Sequence, residues 1–269
     1  MRRTVMSMAG AAAICLAALL SGCGPQGTQS AEKAAAPPAP APENPYTALA
    51  KLPDWGGVWD PAFMARPAPG QAPPAPKLTA AYEAQYEKYL AKNRTTPGLN
   101  FVSSVASCVP PGVPQSMQQP YPIEFLFTPG RVTILIETDH IIRRVYTDGS
   151  QPADPEASYQ GTSVGHWEGD TLVVETSAIL PETSPMMGLN GHSDKFHVTE
   201  RIRLSQPDVL EITTTRVDPA VFVEPYTTTA YYRRHRDWKM MEYVCEQNNH
   251  DALDEHGNAA FSLKHKPGG

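Results

Sequence analysis

The sequence lacks an excess of basic residues, and it lacks an apolar run long enough to cross a membrane. Its 22 Lys and Arg residues are outnumbered by 28 Asp and Glu residues, and the formal net charge is −6. A protein that binds nucleic acid needs a basic surface, so this composition argues against a nucleic-acid partner. The apolar run 11–20 is about half the length of the roughly twenty residues that a transmembrane helix requires.

The same apolar run follows the basic start Met1-Arg2-Arg3 and ends at Leu20-Ser21-Gly22-Cys23. This order is typical of a secretion signal, and its end resembles the lipobox of bacterial lipoproteins. The resemblance implies that residues 1–22 are cleaved and that Cys23 carries the lipid anchor. Gly24 is not the aspartate that retains such proteins at the inner membrane, so the outer membrane is favoured, with the chain facing the periplasm. The alternative is an ordinary cleaved signal.

Cysteine is scarce, with four residues in the whole chain. Cys15 lies within the predicted signal and Cys23 is the predicted lipidation site. Cys108 and Cys245 remain, and in an oxidising compartment such a pair tends to form a disulfide. The alternative is two buried thiols, or one reactive thiol.

Composition divides the rest of the chain into three segments. Residues 23–53 are rich in alanine and proline, which predicts an extended, lipidated tether. Residues 54–248 hold the apolar alternating segments and predict a single β-rich domain. Residues 249–269 are polar, and we expect a loose C-terminal tail.

The domain is predicted to be all-β. Segment 165–176 reads as a hairpin in which Gly169 supplies the positive φ of the turn. Similar short strands precede and follow it, ending with one at 239–245, and segment 78–90 predicts one short N-terminal helix. About nine or ten hairpin-connected strands favour an antiparallel meander that closes into a barrel, with a sandwich as the alternative. Gly57-Val58-Trp59 is similar to the start of lipocalins, which adds slight weight to a calycin-like barrel.

Several longer motifs carry a second resemblance. These are TPGRVTILIE (128–137), RRVYTDG (143–149), GHWEGDTLVV (165–174), HSD (192–194) before HVTER (197–201), and EYVCE (242–246). Together they resemble an uncharacterised family of exported bacterial proteins. The resemblance implies an exported β-rich domain and implies no activity.

The candidate catalytic residues are His192, Asp194 and Glu200. On a strand, Glu200 shares a face with apolar residues, where a carboxylate either acts as an acid or base or pairs with a cation. Arg144 on a neighbouring strand is the expected partner if the role is structural. His192 and Asp194 precede that strand at what would be a barrel rim, where the aspartate could orient the imidazole.

The remaining chemical motifs are weaker. No His-Glu-x-x-His motif is present, and His192 and His197 point to opposite faces of a strand, so no metal site and no cofactor are predicted. Ser163 lies in a Gly-x-Ser-x-Gly pattern, but a hairpin follows it where a nucleophile elbow requires a helix.

Three functions follow from these features. The first is a membrane-anchored barrel that binds a small, largely apolar ligand; the expected ligand-binding residues are Arg144, Tyr146, His166, Trp167 and Tyr231. The second is an acid–base enzyme, such as a lyase, isomerase or hydratase, working through His192, Asp194 and Glu200. The third is a structural envelope lipoprotein, which would expose a large apolar patch to another protein.

Overall fold

The computed structural model describes residues 44–61, 74–95 and 109–243. Within these ranges nine strands form one closed barrel, and the prediction of an all-β barrel with one short helix near its start is confirmed. The elements are β1 (Val58–Pro61), α1 (Ala80–Thr95), β2 (Ile123–Thr128), β3 (Arg131–Ile136), β4 (Ile141–Tyr146), β5 (Thr162–Glu168), β6 (Thr171–Ser177), β7 (His197–Gln206), β8 (Val209–Val217) and β9 (Tyr226–His235).

The strands follow one another around the barrel in chain order, and β9 closes the ring by pairing with β1. Every neighbouring pair is antiparallel except β4 and β5, where Val145 and Tyr146 pair in parallel with Ser163 and Val164. A ring whose neighbours are all antiparallel requires an even number of strands, so nine strands force one parallel pair. The predicted meander is therefore interrupted once, where loop 147–161 returns the chain to the opposite end of the barrel.

The prediction of a tenth strand at 239–245 is wrong for residues 239–243, which are the part of this segment that the structure describes. Residues 239–243 are not in a strand, and the Met241 backbone N–H donates to Glu137 Oε2 at 2.8 Å. Ring closure explains this result, because β9 already pairs with β8 on one side and β1 on the other. No unpaired strand edge is left beside β9 for a further strand.

Two apolar clusters fill the barrel. The larger one takes inward-facing residues from most of the strands around the ring, with Trp55, Trp59, Ile134, Leu172 and Ile202 among its most buried members. The smaller one closes the other end, where Leu189, Phe196 and Phe222 from loops pack with Tyr82 and Tyr86 of α1. The tyrosine face of α1 is thus a packing surface.

The described residues also form three 3-10 helices, Pro45–Lys51, Gln115–Gln118 and Thr138–His140. The first belongs to the segment predicted as tether and lies beside β2. No helix in the described ranges combines the length and the apolar character needed to span a membrane.

Candidate functional site

A polar group of four side chains lies inside the barrel, between the two apolar clusters. Glu200 accepts a hydrogen bond from Arg143 Nη2 in an ion pair that is almost completely buried, with 0% of the Glu200 side chain exposed and 1% of Arg143. Arg143 also donates from Nε to Ser163 Oγ at 3.1 Å and from Nη2 to Thr176 Oγ1 at 2.8 Å. The two hydroxyls are themselves 2.8 Å apart.

Strand alternation explains why these residues meet. On β7, Val198, Glu200 and Ile202 are buried while Arg201 between them is exposed. On β4, Ile141, Arg143 and Val145 face inward, so the expected pairing of Glu200 with Arg144 is wrong. Arg144 is exposed on the outer face, and Arg143, one residue earlier, is the partner of Glu200.

Arg216 on β8 carries a second buried guanidinium. It lies on the same side of the larger apolar cluster as Arg143 and Glu200. It donates from Nε to Pro185 O at 3.1 Å and from Nη1 to Thr228 Oγ1 at 2.9 Å, and it stacks over the Tyr226 ring. Burial lowers the pKa of Arg216 to about 10, while Tyr226 and Glu200 act in the opposite direction. Among the described residues Arg216 has no carboxylate partner within ion-pair distance, so its buried charge is held by neutral groups.

Tyr232 on β9 also faces inward, and its hydroxyl donates to Met117 O. Burial raises the pKa of Tyr232, and the negative charge of Glu200 adds to this effect. Polar side chains inside the barrel thus include those of Arg143, Arg216, Glu200 and Tyr232, and Tyr232 stays protonated at neutral pH.

His192 lies in loop 178–196, which covers the end of the barrel near α1. Its Nδ1 is 2.8 Å from Ser193 O and its Nε2 is 3.0 Å from Thr183 Oγ1, so both ring nitrogens have partners. The ring also packs on Phe196 at 4.4 Å between centroids. This environment makes His192 a buried, hydrogen-bonded member of the loop.

Asp194 is exposed, and no hydrogen bond joins it to another described residue. The carboxylate that organises this loop is instead Asp218, which accepts from Ser193 N and Ser193 Oγ, both at 2.7 Å. No hydrogen bond or ion pair among the described residues links any two of His192, Asp194 and Glu200. An acid–base role for these three residues stays a prediction.

Four of the five expected ligand-binding residues do not face the barrel interior. Arg144, His166 and Tyr231 are exposed. Tyr146 follows the fully buried, inward-facing Val145 on β4, so it lies on the outer face. His166 Nε2 contacts the exposed Glu168 at 3.2 Å. The fifth residue, Trp167, lies on the inward-facing side of β5 and packs against Trp55 and Phe127.

Trp167 lines a half-open groove at the barrel end opposite α1, with a volume of about 170 Å³. Its other apolar walls come from the first 3-10 helix and from the β2–β3 hairpin. They are formed by Ala48, Leu49, Leu52, Phe127 and Val132. Arg131 and Thr147 are among its polar lining residues. The groove combines an apolar interior with a small number of polar groups, as small-molecule sites do.

Within the described ranges, no group of three or more His, Cys, Asp or Glu side chains is placed to hold a metal ion. His197 is exposed, with Nδ1 3.0 Å from Lys195 O. Ser163 is followed by a hairpin and bonds to Arg143 and Thr176. Cys23, Cys108 and Cys245 lie outside the described residues, so lipidation and the disulfide stay predictions.

Comparison of the chain with protein-family models and with curated proteins found no match. The residues that sequence reasoning missed are Arg143, Arg216 and Asp218. Arg216 carried a detectable signal, because it continues the inward series Leu210, Ile212, Thr214 on β8. Asp218 carried none, since its partners are set by the fold of a distant loop.

Proposed function

We propose that this protein is a lipoprotein of the outer membrane, facing the periplasm, whose barrel binds a small, largely apolar ligand. The observation that carries the proposal is the groove lined by Trp167. Its volume of about 170 Å³ is comparable with the roughly 150 Å³ of an engineered apolar cavity that accepts benzene. A ligand of about the size of one substituted ring therefore fits it.

The location of the groove supports the same proposal. The larger apolar cluster and the polar group around Glu200 line the barrel interior, whereas the groove lies at the open end of the barrel, so we place the apolar ligand in the groove. Trp167 continues an aromatic cluster there, with ring centroids 5.3 Å from Trp55 and 5.7 Å from Phe127. Aromatic walls supply large apolar contact areas.

The test is the binding of toluene to the full chain, which ligand-observed saturation-transfer NMR detects. We expect saturable binding that becomes about ten-fold weaker or worse in Leu49→Asp, because a carboxylate in the groove must lose water when an apolar ligand enters. Leu49 is on the first 3-10 helix, which contributes no buried residue, so we expect this variant to keep the barrel folded.

The matched control is Leu126→Asp, which adds the same charge to the exposed outer face of β2, where Leu126 is 43% exposed. It should bind toluene as the wild type does. Absence of saturable binding in the wild type, or equal weakening in both variants, would contradict the proposal.

A further inference from the structure

Two polar atoms at the centre of the barrel have no hydrogen-bond partner among the described residues: Arg143 Nη1 and Glu200 Oε1. Both side chains are at most 1% exposed, so bulk water does not reach them. A buried donor or acceptor left unpaired loses its hydration without compensation, which folded proteins rarely tolerate. These two atoms therefore require an explanation.

The unpaired atoms belong to the same ion pair. Its direct contact joins Arg143 Nη2 to Glu200 Oε2, while the other donors of Arg143 reach Ser163 and Thr176. What remains is Nη1 of the guanidinium, with its two N–H donors, and one acceptor oxygen, Oε1, on the carboxylate. A group held between them must accept from the first and donate to the second.

The surrounding charges restrict that group further. A cation would face the guanidinium of Arg143, and Arg216 is a second buried cation that Glu200 influences. An anion would face the carboxylate of Glu200. A neutral hydroxyl satisfies both atoms, because its oxygen accepts a hydrogen bond and its proton is donated. Ser163 and Thr176 add two hydroxyl groups beside the ion pair. Their mutual hydrogen bond uses only one of their two hydroxyl protons, so the other proton remains to be donated.

We propose that Arg143 and Glu200 hold the hydroxyl group of a small bound molecule inside the barrel. The hydroxyl is that of an ordered water or that of a small alcohol. The site shares no residue with the groove lined by Trp167, so it does not rest on the ligand proposed there.

The test is the electron density of the purified full chain, at a resolution that shows ordered solvent, together with its native mass. We expect a peak about 3 Å from both Nη1 and Oε1. A single-oxygen peak with no added mass identifies water, and an extended peak with added mass identifies an alcohol. The absence of a peak near both atoms would overturn the proposal, whether or not Nη1 and Oε1 bond to each other directly.

The double variant Arg143→Met/Glu200→Leu removes both polar atoms with side chains of similar size. Its control is Arg201→Met/Glu168→Leu, which removes an ion pair of 2.8 Å that is half exposed on the outer face. The peak should be lost in the first variant and kept in the second. A peak that persists without Arg143 and Glu200 would overturn the proposal, and if that variant does not fold, the wild-type density decides alone.

Discussion

The Arg143–Glu200 ion pair dominates the chemistry of the barrel interior at the scale of single residues. Removing two charges from water is costly, and the attraction between them offsets this cost only when both remain. Loss of one partner leaves the other charge buried and uncompensated. The two side chains are therefore coupled far more strongly than the exposed Arg201–Glu168 pair on the other face of β7.

The first prediction is that Glu200→Gln lowers the free energy of unfolding by about 3–5 kcal/mol, because Arg143 stays charged without a counter-ion. Urea unfolding followed by circular dichroism measures this. Glu168→Gln, which breaks the exposed pair, should have little effect. Arg143→Met/Glu200→Leu should recover much of the loss. A Glu200→Gln protein as stable as the wild type would contradict the buried pair.

The second prediction concerns Tyr121, which packs edge-on against Tyr243 at 5.3 Å between ring centroids. Burial is the largest cause, and the neighbouring Tyr243 the next, of a rise in the pKa of Tyr121 to about 12. The unfolded chain ionises this group near pH 10, so between about pH 10 and 12 the unfolded state binds fewer protons than the folded state. The stabilising contribution is complete below pH 10 and is lost as the pH rises through about 12.

Tyrosinate absorbance during alkaline titration measures this effect, together with urea unfolding at each pH. Tyr121→Phe should remove a late-titrating group and flatten the loss of stability above pH 10. If Tyr121→Phe instead loses its absorbance change at about pH 10, Tyr121 ionises with the other tyrosines and the prediction is contradicted.

At the scale of elements, α1 and loop 178–196 together close one end of the barrel. Gln85 of α1 accepts from Asn190 N at 2.6 Å, and Tyr89 lies directly against Gly188. A Cβ atom on Gly188 would come within 2.5 Å of Tyr89 Cδ1. Helix and loop therefore depend on each other for their packing.

The third prediction is that Gly188→Ala displaces α1 while the barrel remains folded. Hydrogen exchange should become faster in α1 and stay slow in β7 and β8. The control is Gly149→Ala, which has a similar φ of 79° but no heavy atom within 4 Å of the new Cβ, so it carries only the backbone strain of about 1–2 kcal/mol. Equal exchange in α1 of both variants would contradict the contact with Tyr89.

At the scale of the whole molecule, the barrel has no free strand edge among its nine strands. The seam between β9 and β1 is reinforced by Arg234, whose guanidinium lies 4.6 Å from the Trp59 ring centroid and pairs with Asp54 and Asp208. A closed ring protects the chain against edge-to-edge association. This property would suit the membrane anchoring that we propose.

The fourth prediction tests that anchoring. Cys23→Ser should abolish incorporation of labelled fatty acid into the protein, because the thiol is the group that the lipobox resemblance implies is acylated. Cys15→Ser removes a cysteine from the same N-terminal segment and should leave incorporation unchanged. Labelling that survives in Cys23→Ser would contradict the proposed anchor.

The sequence by itself determined the local features. Alternation and turn residues predicted the hairpin at 165–176, where β5 and β6 pair, and Gly169 has the positive φ of 59° that its turn required. The same alternation predicted that Glu200 faces an apolar interior. These features depend on neighbours within a few residues, and for that reason they can be derived from the chain alone.

Only the tertiary structure decided which side chains meet across strands. The β4 sequence Ile-Ile-Arg-Arg-Val-Tyr places an apolar residue and an arginine on both faces, so a shift of one residue exchanges Arg143 for Arg144. Register likewise places Tyr146 and Tyr231 on the outer face, while the parallel β4–β5 pair and the absence of a strand at 239–243 follow from ring closure. Register and closure are set by contacts between distant segments, which no local pattern contains.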